Sequence, residues 1–167
     1  MTHVGSVLYS QGNRIEFLET AGTTNGARVT VRAVYAPHGT YPPAHLHPSQ
    51  TETFTVVQGE LRVRMHGQDR TYKAGETFRV PPRVPHAMCN ASGAPAVVNW
   101  TVEPALRREA FFEALYVETR DGRGRSSGLK GLLWRAGLLW RFRDEVTLAW
   151  GRRIHPHGER PKAVRPS

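Results

Sequence analysis

Two histidines two residues apart, followed by a glutamate, are the residues in this sequence best suited to hold a metal ion. They are His45, His47 and Glu52, within the stretch GTYPPAHLHPSQTETFTVVQG at residues 39–59. In a strand, side chains two apart share a face, so both imidazoles can reach one ion. Glu52 lies at an odd offset from them, but a turn predicted at residues 48–50 resets the register, so that Glu52 leads a neighbouring strand with its side chain inward.

A fourth candidate ligand, His86, begins a predicted strand after the prolines of VPPRVPHAMCN. Three neutral imidazoles and one carboxylate form a site that can hold one divalent transition metal ion: Fe, Mn, Ni, Co, Cu or Zn. Such a set leaves two positions of an octahedron for water or substrate, so the predicted site is reactive rather than only structural. The alternative interpretation, which a lone His-x-His favours, is that these are ordinary polar residues at strand edges.

The spacing of these residues resembles the cupin superfamily. The first cupin motif, G-x5-H-x-H-x4-E-x6-G, is met at every defined place between Gly39 and Gly59. The second motif, G-x5-P-x-G-x2-H-x3-N, is met by Gly75, Pro81, His86 and Asn90. Arg83 stands where this motif has glycine, and a positive φ at that place would cost arginine roughly 1 kcal/mol.

The resemblance covers residues 28–103, and what it implies goes beyond the motifs themselves. It implies an antiparallel jelly-roll barrel in which the motif glycines and asparagine serve turns. It also implies that the protein forms a homodimer through sheet edges. By the same resemblance, the metal ligands are His45, His47, Glu52 and His86.

The pattern along the chain agrees with a β-rich body followed by helices. From residue 14 to 103, short apolar stretches with period-two alternation predict an antiparallel all-β sandwich or barrel. PALRREAFFEALYVETRDG then predicts a helix that opens with Pro104 and ends at Gly122, and a second helix is predicted within LKGLLWRAGLLWRFRDEVTLAW. The expected organisation is therefore a barrel domain (1–103), a helical extension (104–150) and a basic, disordered tail (151–167).

The segment GLLWRAGLLWRF in the second predicted helix is apolar on nearly every side. A helix of this kind must be buried against the barrel, a partner subunit or a membrane surface. Asp144 and Glu145 follow its arginines and would oppose anionic lipid, which favours the barrel or a second copy of the chain over a membrane.

Composition narrows the remaining classes of partner and compartment. The net charge of +9 is concentrated in the last third of the 167 residues, but the tail has no aromatic residue to stack on a base, so we expect no nucleic-acid partner. No apolar run is long enough to span a membrane, and the first residues lack a basic leader. Cys89 is the single cysteine, which agrees with a reducing compartment. We therefore expect a cytoplasmic protein.

The pocket beside the predicted site is expected to be mostly apolar. Tyr41, Phe54, Met88 and Trp100 are the weaker candidates for its lining. Such a lining predicts a small apolar or aromatic molecule that reaches the metal through oxygen atoms, with Glu52 as ligand or catalytic base. The first hypothesis is a metal-dependent, dioxygenase-like oxidoreductase. The second is a non-catalytic cupin that binds a small molecule or metal with the same four ligands. A transcription factor would need a helix-turn-helix, and the sequence shows none clearly.

Overall fold

The computed structural model describes residues 2–10, 12–120 and 129–149, and within these it has eleven strands and two helices. The first ten strands precede the helices: β1 Val7–Ser10, β2 Asn13–Glu19, β3 Val29–Tyr35, β4 His45–Leu46, β5 Thr51–Gln58, β6 Glu60–Met65, β7 Gln68–Lys73, β8 Thr77–Val80, β9 His86–Cys89 and β10 Ala96–Glu103. The remaining elements are α1 Arg108–Arg120, α2 Leu129–Arg141 and β11 Thr147–Leu148. The predicted tail, 151–167, lies outside the described residues.

The strands form two antiparallel sheets, which confirms the predicted all-β jelly-roll barrel. The six-stranded sheet has the order β1-β2-β3-β10-β5-β8, and the five-stranded sheet has the order β11-β4-β9-β6-β7. Alternation along the strands explains which face is buried. In β5, for example, Glu52, Phe54 and Val56 are buried while Thr51, Thr53 and Thr55 are only partly so.

The turn between β4 and β5 carries the chain from one sheet to the other. β4 pairs with β9 and β11 in the smaller sheet, whereas β5 pairs with β8 and β10 in the larger one. The expectation that Glu52 leads a strand neighbouring the histidines was therefore wrong in detail, although its inward direction was right. Glu52 faces the histidines from the opposite sheet.

The buried hydrophobic side chains of the described residues form two clusters. The first, which we call the barrel core, consists of Phe54, Val56, Leu61, Val63, Tyr72, Phe78, Val80, Met88 and Val98. The second, which we call the extension core, consists of Ile15, Phe17, Val29, Val31, Ala33, Ala105, Phe111, Phe112, Phe142 and Val146. Tyr35 and Trp100 pack against both. The second cluster therefore joins the first strands to the residues that follow β10.

The C-terminal residues pack on the barrel and also extend it. The ring of Phe112 in α1 lies 6.1 Å from that of Phe17 and 5.0 Å from that of Trp100. In β11, Leu148 is in register with His45, so the extension adds an edge strand to the smaller sheet, which the sequence pattern did not predict. The expectation that the first helix opens with Pro104 was wrong, because α1 begins at Arg108 after a turn.

The second helix is less buried than its composition predicts. Leu138 and Leu139 pack against the extension core, but the side chains of Leu133 and Trp140 are 63% and 72% exposed. The α2 side chains that the structure describes therefore form a partly buried face and an exposed apolar face. Among the residues that the structure describes, no helix is long and apolar enough to cross a membrane.

Gly59 and Arg83 are two of the residues that adopt left-handed backbone, and both lie in the cupin motifs. Gly59 has φ +75°, and a Cβ atom there would lie 2.8 Å from the carbonyl oxygen of Pro95, so only glycine fits. Arg83 adopts φ +65°, the conformation for which the cupin motif has glycine. The Arg83 amide donates a hydrogen bond to the carbonyl oxygen of His47 at 2.8 Å, which ties this turn to the strand segment of the first motif.

Candidate metal centre

Four side chains predicted as ligands converge between the two sheets. His45 in β4 lies directly opposite His86 in β9, and His47 follows β4 by one residue. Nitrogen atoms of these three rings lie within 4.8 Å of one another. Glu52 reaches them from β5: its Oε1 lies 3.1 Å from Nε2 of His47, and its Oε2 lies 3.1 Å from Nε2 of His86. The structure thus brings all four residues together.

The rings of His45 and His86 are oriented by their own local backbone. The Nδ1 atom of His45 lies 3.3 Å from the carbonyl oxygen of Pro43, and that of His86 lies 3.0 Å from the carbonyl oxygen of Val84. Because a carbonyl oxygen only accepts hydrogen bonds, a proton on each Nδ1 would complete these contacts and leave each Nε2 available to bind a metal ion. The geometry of both rings is thus compatible with metal binding through Nε2.

His47 is oriented by a residue of the C-terminal extension. Its Nδ1 atom lies 2.5 Å from the carbonyl oxygen of Glu145, so a proton on Nδ1 would again leave Nε2 available to bind a metal ion. A guanidinium nitrogen of Arg108 lies 3.1 Å from the same Nδ1 and donates a 2.6 Å hydrogen bond to Oε1 of Gln50. Arg108 is 1% exposed, and its charge is opposed by Glu52 at 3.7 Å and by Glu145 at 3.5 Å. A buried network thus surrounds the ligands.

Sequence reasoning did not identify Gln50, Arg108 or Glu145 as part of the site. Arg108 offered a signal, because it stands three and four residues before Phe111 and Phe112 and so shares the apolar face of α1. A charged residue on such a face needs a buried partner. Glu145 offered no comparable signal, since its contact with His47 spans 98 residues.

The donor set fits a divalent cation. Nε2 of His47, Nε2 of His86 and both carboxylate oxygens of Glu52 are buried and make no hydrogen bond in the protein. Buried polar atoms of this kind are unfavourable when they have no partner. A metal ion bound by imidazole nitrogens and a carboxylate oxygen would satisfy them together.

Charges and burial shift the pKa values of two of the four candidate ligands, Glu52 and His45. Burial acts to raise the pKa of Glu52, but the rings of His47 and His86 and the guanidinium of Arg108 outweigh it and hold that pKa well below its usual value. Burial, reinforced by His86 and His47, lowers the pKa of His45 to about 3. At neutral pH Glu52 is therefore ionised and His45 is neutral.

A largely apolar cavity of about 280 Å³ opens beside the histidines. His45, His47 and Arg108 are its polar members, and most of the other walls come from the extension. Its remaining lining consists of Pro42, Pro43, Trp100, Phe111, Phe112, Leu115, Tyr116, Leu138, Leu139, Val146 and Leu148. The sequence therefore predicted an apolar pocket correctly, but most of the side chains that form it lie after residue 103.

The weaker pocket candidates divide between this cavity and other places. Trp100 lines the cavity, whereas Tyr41, Phe54 and Met88 do not. Phe54 lies in the barrel core, stacked between the rings of Phe78 and Trp100 at 4.8 and 5.2 Å, and Met88 belongs to the same cluster. Tyr41 lies beneath the guanidinium of Arg64 at 4.4 Å from the ring centroid.

Comparisons with known proteins agree with this barrel. The sequence model of the family described as Cupin domain matches residues 31–102. Oxalate oxidase 1 of Hordeum vulgare is 35% identical over 101 residues, which are 54% of this chain and 50% of that protein. Germin-like protein 3-3 of Oryza sativa subsp. japonica is 33% identical over 98 residues, 52% of this chain and 43% of that protein. The chain spans about half the length of the curated relatives it matches, or less.

Solved structures show the same fold at lower identity. An RmlC-like cupin from Shewanella frigidimarina aligns with a TM-score of 0.53 and 22% identity, over 63% of this chain and 88% of that one. A structure described as a predicted oxalate decarboxylase from Thermotoga maritima aligns with a TM-score of 0.50 and 20% identity, over 55% of this chain and 80% of that one. At these identities the likeness is one of fold.

Proposed function

Because the chain belongs to the cupin superfamily through its domain at residues 31–102, we propose that it binds one divalent transition metal ion. The ligands are His45, His47, Glu52 and His86. The observation that carries the proposal is the set of buried ring nitrogens and carboxylate oxygens that face one another without a hydrogen bond. A bound ion of Fe, Mn, Ni, Co, Cu or Zn would supply Lewis acidity and, where the metal changes oxidation state, redox chemistry.

The cavity supports a small apolar or aromatic molecule with oxygen atoms as the substrate or ligand. A bare dicarboxylate such as oxalate would lose its hydration against aromatic and aliphatic walls. Arg108 is the cation in the lining, but Gln50, Glu52 and Glu145 already occupy it. The substrate proposed here therefore differs from the one in the names of the oxalate oxidase relatives, although their oxidoreductase class supports the same class for this chain.

The chain's own residues can orient such a molecule. Phe111, Phe112 and Leu115 confine its apolar part, and His45 and His47 lie at the end where its oxygen atoms would bind. Trp100 lies on the wall, and its Nε1 is buried without a hydrogen-bond partner, so it can donate to an oxygen of the bound molecule. Glu52, which is ionised, can serve as ligand or as base.

Metal analysis of purified protein tests the site. We expect one equivalent of metal per chain in the wild type and its loss in His47→Ala and in His86→Ala. The matched control is His3→Ala, because His3 is exposed and contacts Ser6 rather than the cluster. Metal content equal to wild type in both ligand variants would refute the assignment.

Oxygen uptake decides between the oxidoreductase and the binding protein with the same ligands. Protein loaded in turn with Fe²⁺, Mn²⁺ or Cu²⁺ is mixed with catechol-like and flavonol-like compounds, and oxygen consumption is followed with His86→Ala as the blank. We expect turnover with at least one metal. Stoichiometric binding of Zn²⁺ and of the organic compound, with no oxygen consumed under any loading, would support the non-catalytic alternative.

A further inference from the structure

We propose that the exposed face of α2 docks on the surface of an anionic lipid bilayer. On this face Leu133 and Trp140 are 63% and 72% exposed, and Ala136 and Gly137 between them are exposed as well. Residues seven apart in a helix lie on the same side, so these four residues form one apolar stripe, which we call the α2 stripe. None of the four is a candidate metal ligand or lines the cavity, so the inference goes beyond the proposed function and does not depend on it.

The other side of α2 is occupied by the protein itself. Leu138 and Leu139 pack against the extension core and line the cavity. At about 100° of rotation per residue, their positions lie across the helix axis from Leu133 and Trp140. The contacts that hold α2 in place therefore use one side of the helix and leave the α2 stripe facing outward.

The charges at the C-terminal end of the α2 stripe are mostly positive. Arg141 and Arg143 are exposed, and the guanidinium of Arg143 lies 5.1 Å from the centroid of the Trp140 ring. Arg107 reaches the same end of the helix, because its Nη2 donates to the carbonyl oxygen of Arg141 at 2.8 Å. With Asp144, three guanidinium groups stand against one exposed carboxylate, a net charge of +2.

The two acidic residues after α2 do not make this end negative. In the sequence, Asp144 and Glu145 stand against binding to anionic lipid, but in the structure arginines neutralise both. Glu145 is 0% exposed and lies 3.5 Å from the buried Arg108. Asp144 accepts a hydrogen bond from Nε of Arg107 at 3.1 Å and a second one from its Nη2. The objection that the sequence raises to a lipid surface is therefore removed by the fold.

A bilayer fits this surface better than a second copy of the chain does. The α2 stripe spans about 10 Å, seven residues at about 1.5 Å each, which is short for a stable protein interface of about 1,200 Å² or more. A second copy would also bring the same positive charge to the contact. Exposed tryptophan and leucine flanked by arginine are instead typical of helices that lie in the plane of a bilayer interface. The net charge of +9 adds a long-range attraction to anionic headgroups.

Co-sedimentation of the full-length protein with lipid vesicles tests the proposal. Vesicles of phosphatidylcholine alone are compared with vesicles that also contain phosphatidylglycerol, each at low and at high salt. We expect binding to the anionic vesicles at low salt and weaker binding at high salt, because salt screens the attraction between exposed charges. A wild type that binds neither kind of vesicle would overturn the proposal.

Two double variants separate the apolar contribution from the charged one. Leu133→Gln combined with Trp140→Gln should lower the partition coefficient by about 10-fold or more, because the apolar area that enters the interface is lost. Arg141→Gln combined with Arg143→Gln should lower it by roughly 5-fold for each arginine. All four side chains are exposed, so the fold should tolerate these changes, and thermal unfolding checks this.

The matched control replaces two exposed apolar residues on other elements. In Tyr9→Gln combined with Val57→Gln, the side chains are 60% and 48% exposed but lie on β1 and β5. This variant should bind anionic vesicles within about twofold of wild type. Equal binding by wild type and by the Leu133/Trp140 double variant would contradict the proposal, because the attraction would then come from other basic residues, such as those of segment 151–167.

Quenching of tryptophan fluorescence by lipids with brominated acyl chains locates the contact. The chain has four tryptophans, and Trp140→Phe removes one of them while keeping an apolar ring. We expect the quenching seen in the wild type to be lost in Trp140→Phe although the variant still binds. Quenching that persists unchanged in this variant would mean that another face enters the bilayer, and the assignment to α2 would be wrong.

The oligomeric state without lipid tests the second copy as the occupant. Sedimentation equilibrium is measured for the wild type and for the Leu133/Trp140 double variant. A wild-type dimer that becomes a monomer in the variant, together with no binding of the wild type to vesicles, would assign the α2 stripe to a contact between copies and overturn the lipid proposal. None of these measurements depends on bound metal, so this inference and the proposed function fail independently.

Discussion

The barrel core and the extension core differ in where their residues come from in the chain. The barrel core is built from residues between Phe54 and Val98, all within the segment that matches the cupin domain. The extension core joins β2 and β3 to residues 105–146, and most of its members lie outside that segment. The candidate ligands lie in the segment that matches the cupin domain, but most of the residues that line the cavity beside them come after residue 103. The candidate metal ligands and most of the cavity walls therefore come from different parts of the chain.

Removing one large aromatic ring from each core tests this difference between the two regions. Phe54→Ala and Phe112→Ala should each lower the free energy of unfolding by about 3–5 kcal/mol, because both rings are buried among other aromatic rings. Only Phe112 of the two lines the cavity, so only Phe112→Ala should weaken binding of a flavonol-like ligand markedly. Denaturant titration and ligand titration measure the two effects. Equal loss of ligand binding in both variants would contradict the division of roles.

A second comparison uses one glycine from each region. Gly59→Ala should cost about 2–3 kcal/mol, because alanine would adopt φ +75° and place its Cβ 2.8 Å from a backbone oxygen. Gly137 in α2 is exposed, and a Cβ added there would meet no described neighbour within 4 Å, so Gly137→Ala should gain about 0.5–1 kcal/mol of helix stability. Chemical denaturation of both variants measures this. Destabilisation by Gly137→Ala would show that α2 depends on a close contact at this face.

The cupin domain could be predicted from the sequence because local geometry decides which residue types stand at the motif positions. Gly59 must be glycine, and His45 and His86 are oriented by carbonyls two residues away, so spacing alone indicates them. The sequence could not predict which of the two sheets carries Glu52, because a strand that follows a turn can join either sheet and still point the same side chains inward. The contact between His47 and Glu145 could not be read either, since it depends on how the extension packs.

A smaller effect is expected at the one departure from the cupin motif. Arg83→Gly should raise the free energy of unfolding by about 1 kcal/mol, because glycine adopts φ +65° without steric cost and keeps the N–H that donates to His47. Arg79→Gly is the control: Arg79 is also exposed, but it lies within β8, where glycine should cost about 0.5–1 kcal/mol. Thermal and denaturant unfolding measure both. A lower free energy of unfolding in Arg83→Gly would mean that the contacts of the arginine side chain outweigh the strain of its backbone.

The smallest predicted effect concerns a surface pair beside the extension core. Hydrogen bonds from Arg28 and then Thr30 lower the pKa of Glu19 to about 2, against the effect of burial. A lowered pKa in the folded state means that the stabilisation is present above about pH 4.5 and is lost as the pH falls toward 2. Since the pair is partly exposed, we expect it to contribute only about 0.5 kcal/mol to the free energy of unfolding. The measurement is the difference in unfolding free energy between wild type and Glu19→Gln at pH 7 and at pH 2.5. A difference that does not shrink at the lower pH would contradict it.

The pairing of β11 with β4 has a consequence for the order in which the site forms during synthesis. β4 is two residues long and pairs with β9 on one side and with β11 on the other. Until residues 147–148 have been made, the strand that bears His45 is therefore an open sheet edge. At roughly 5–20 residues per second, the ribosome needs several seconds to pass from the end of β10 to β11. A nascent chain would thus present a nearly complete barrel in which β4, the strand that bears His45, is the last to be covered.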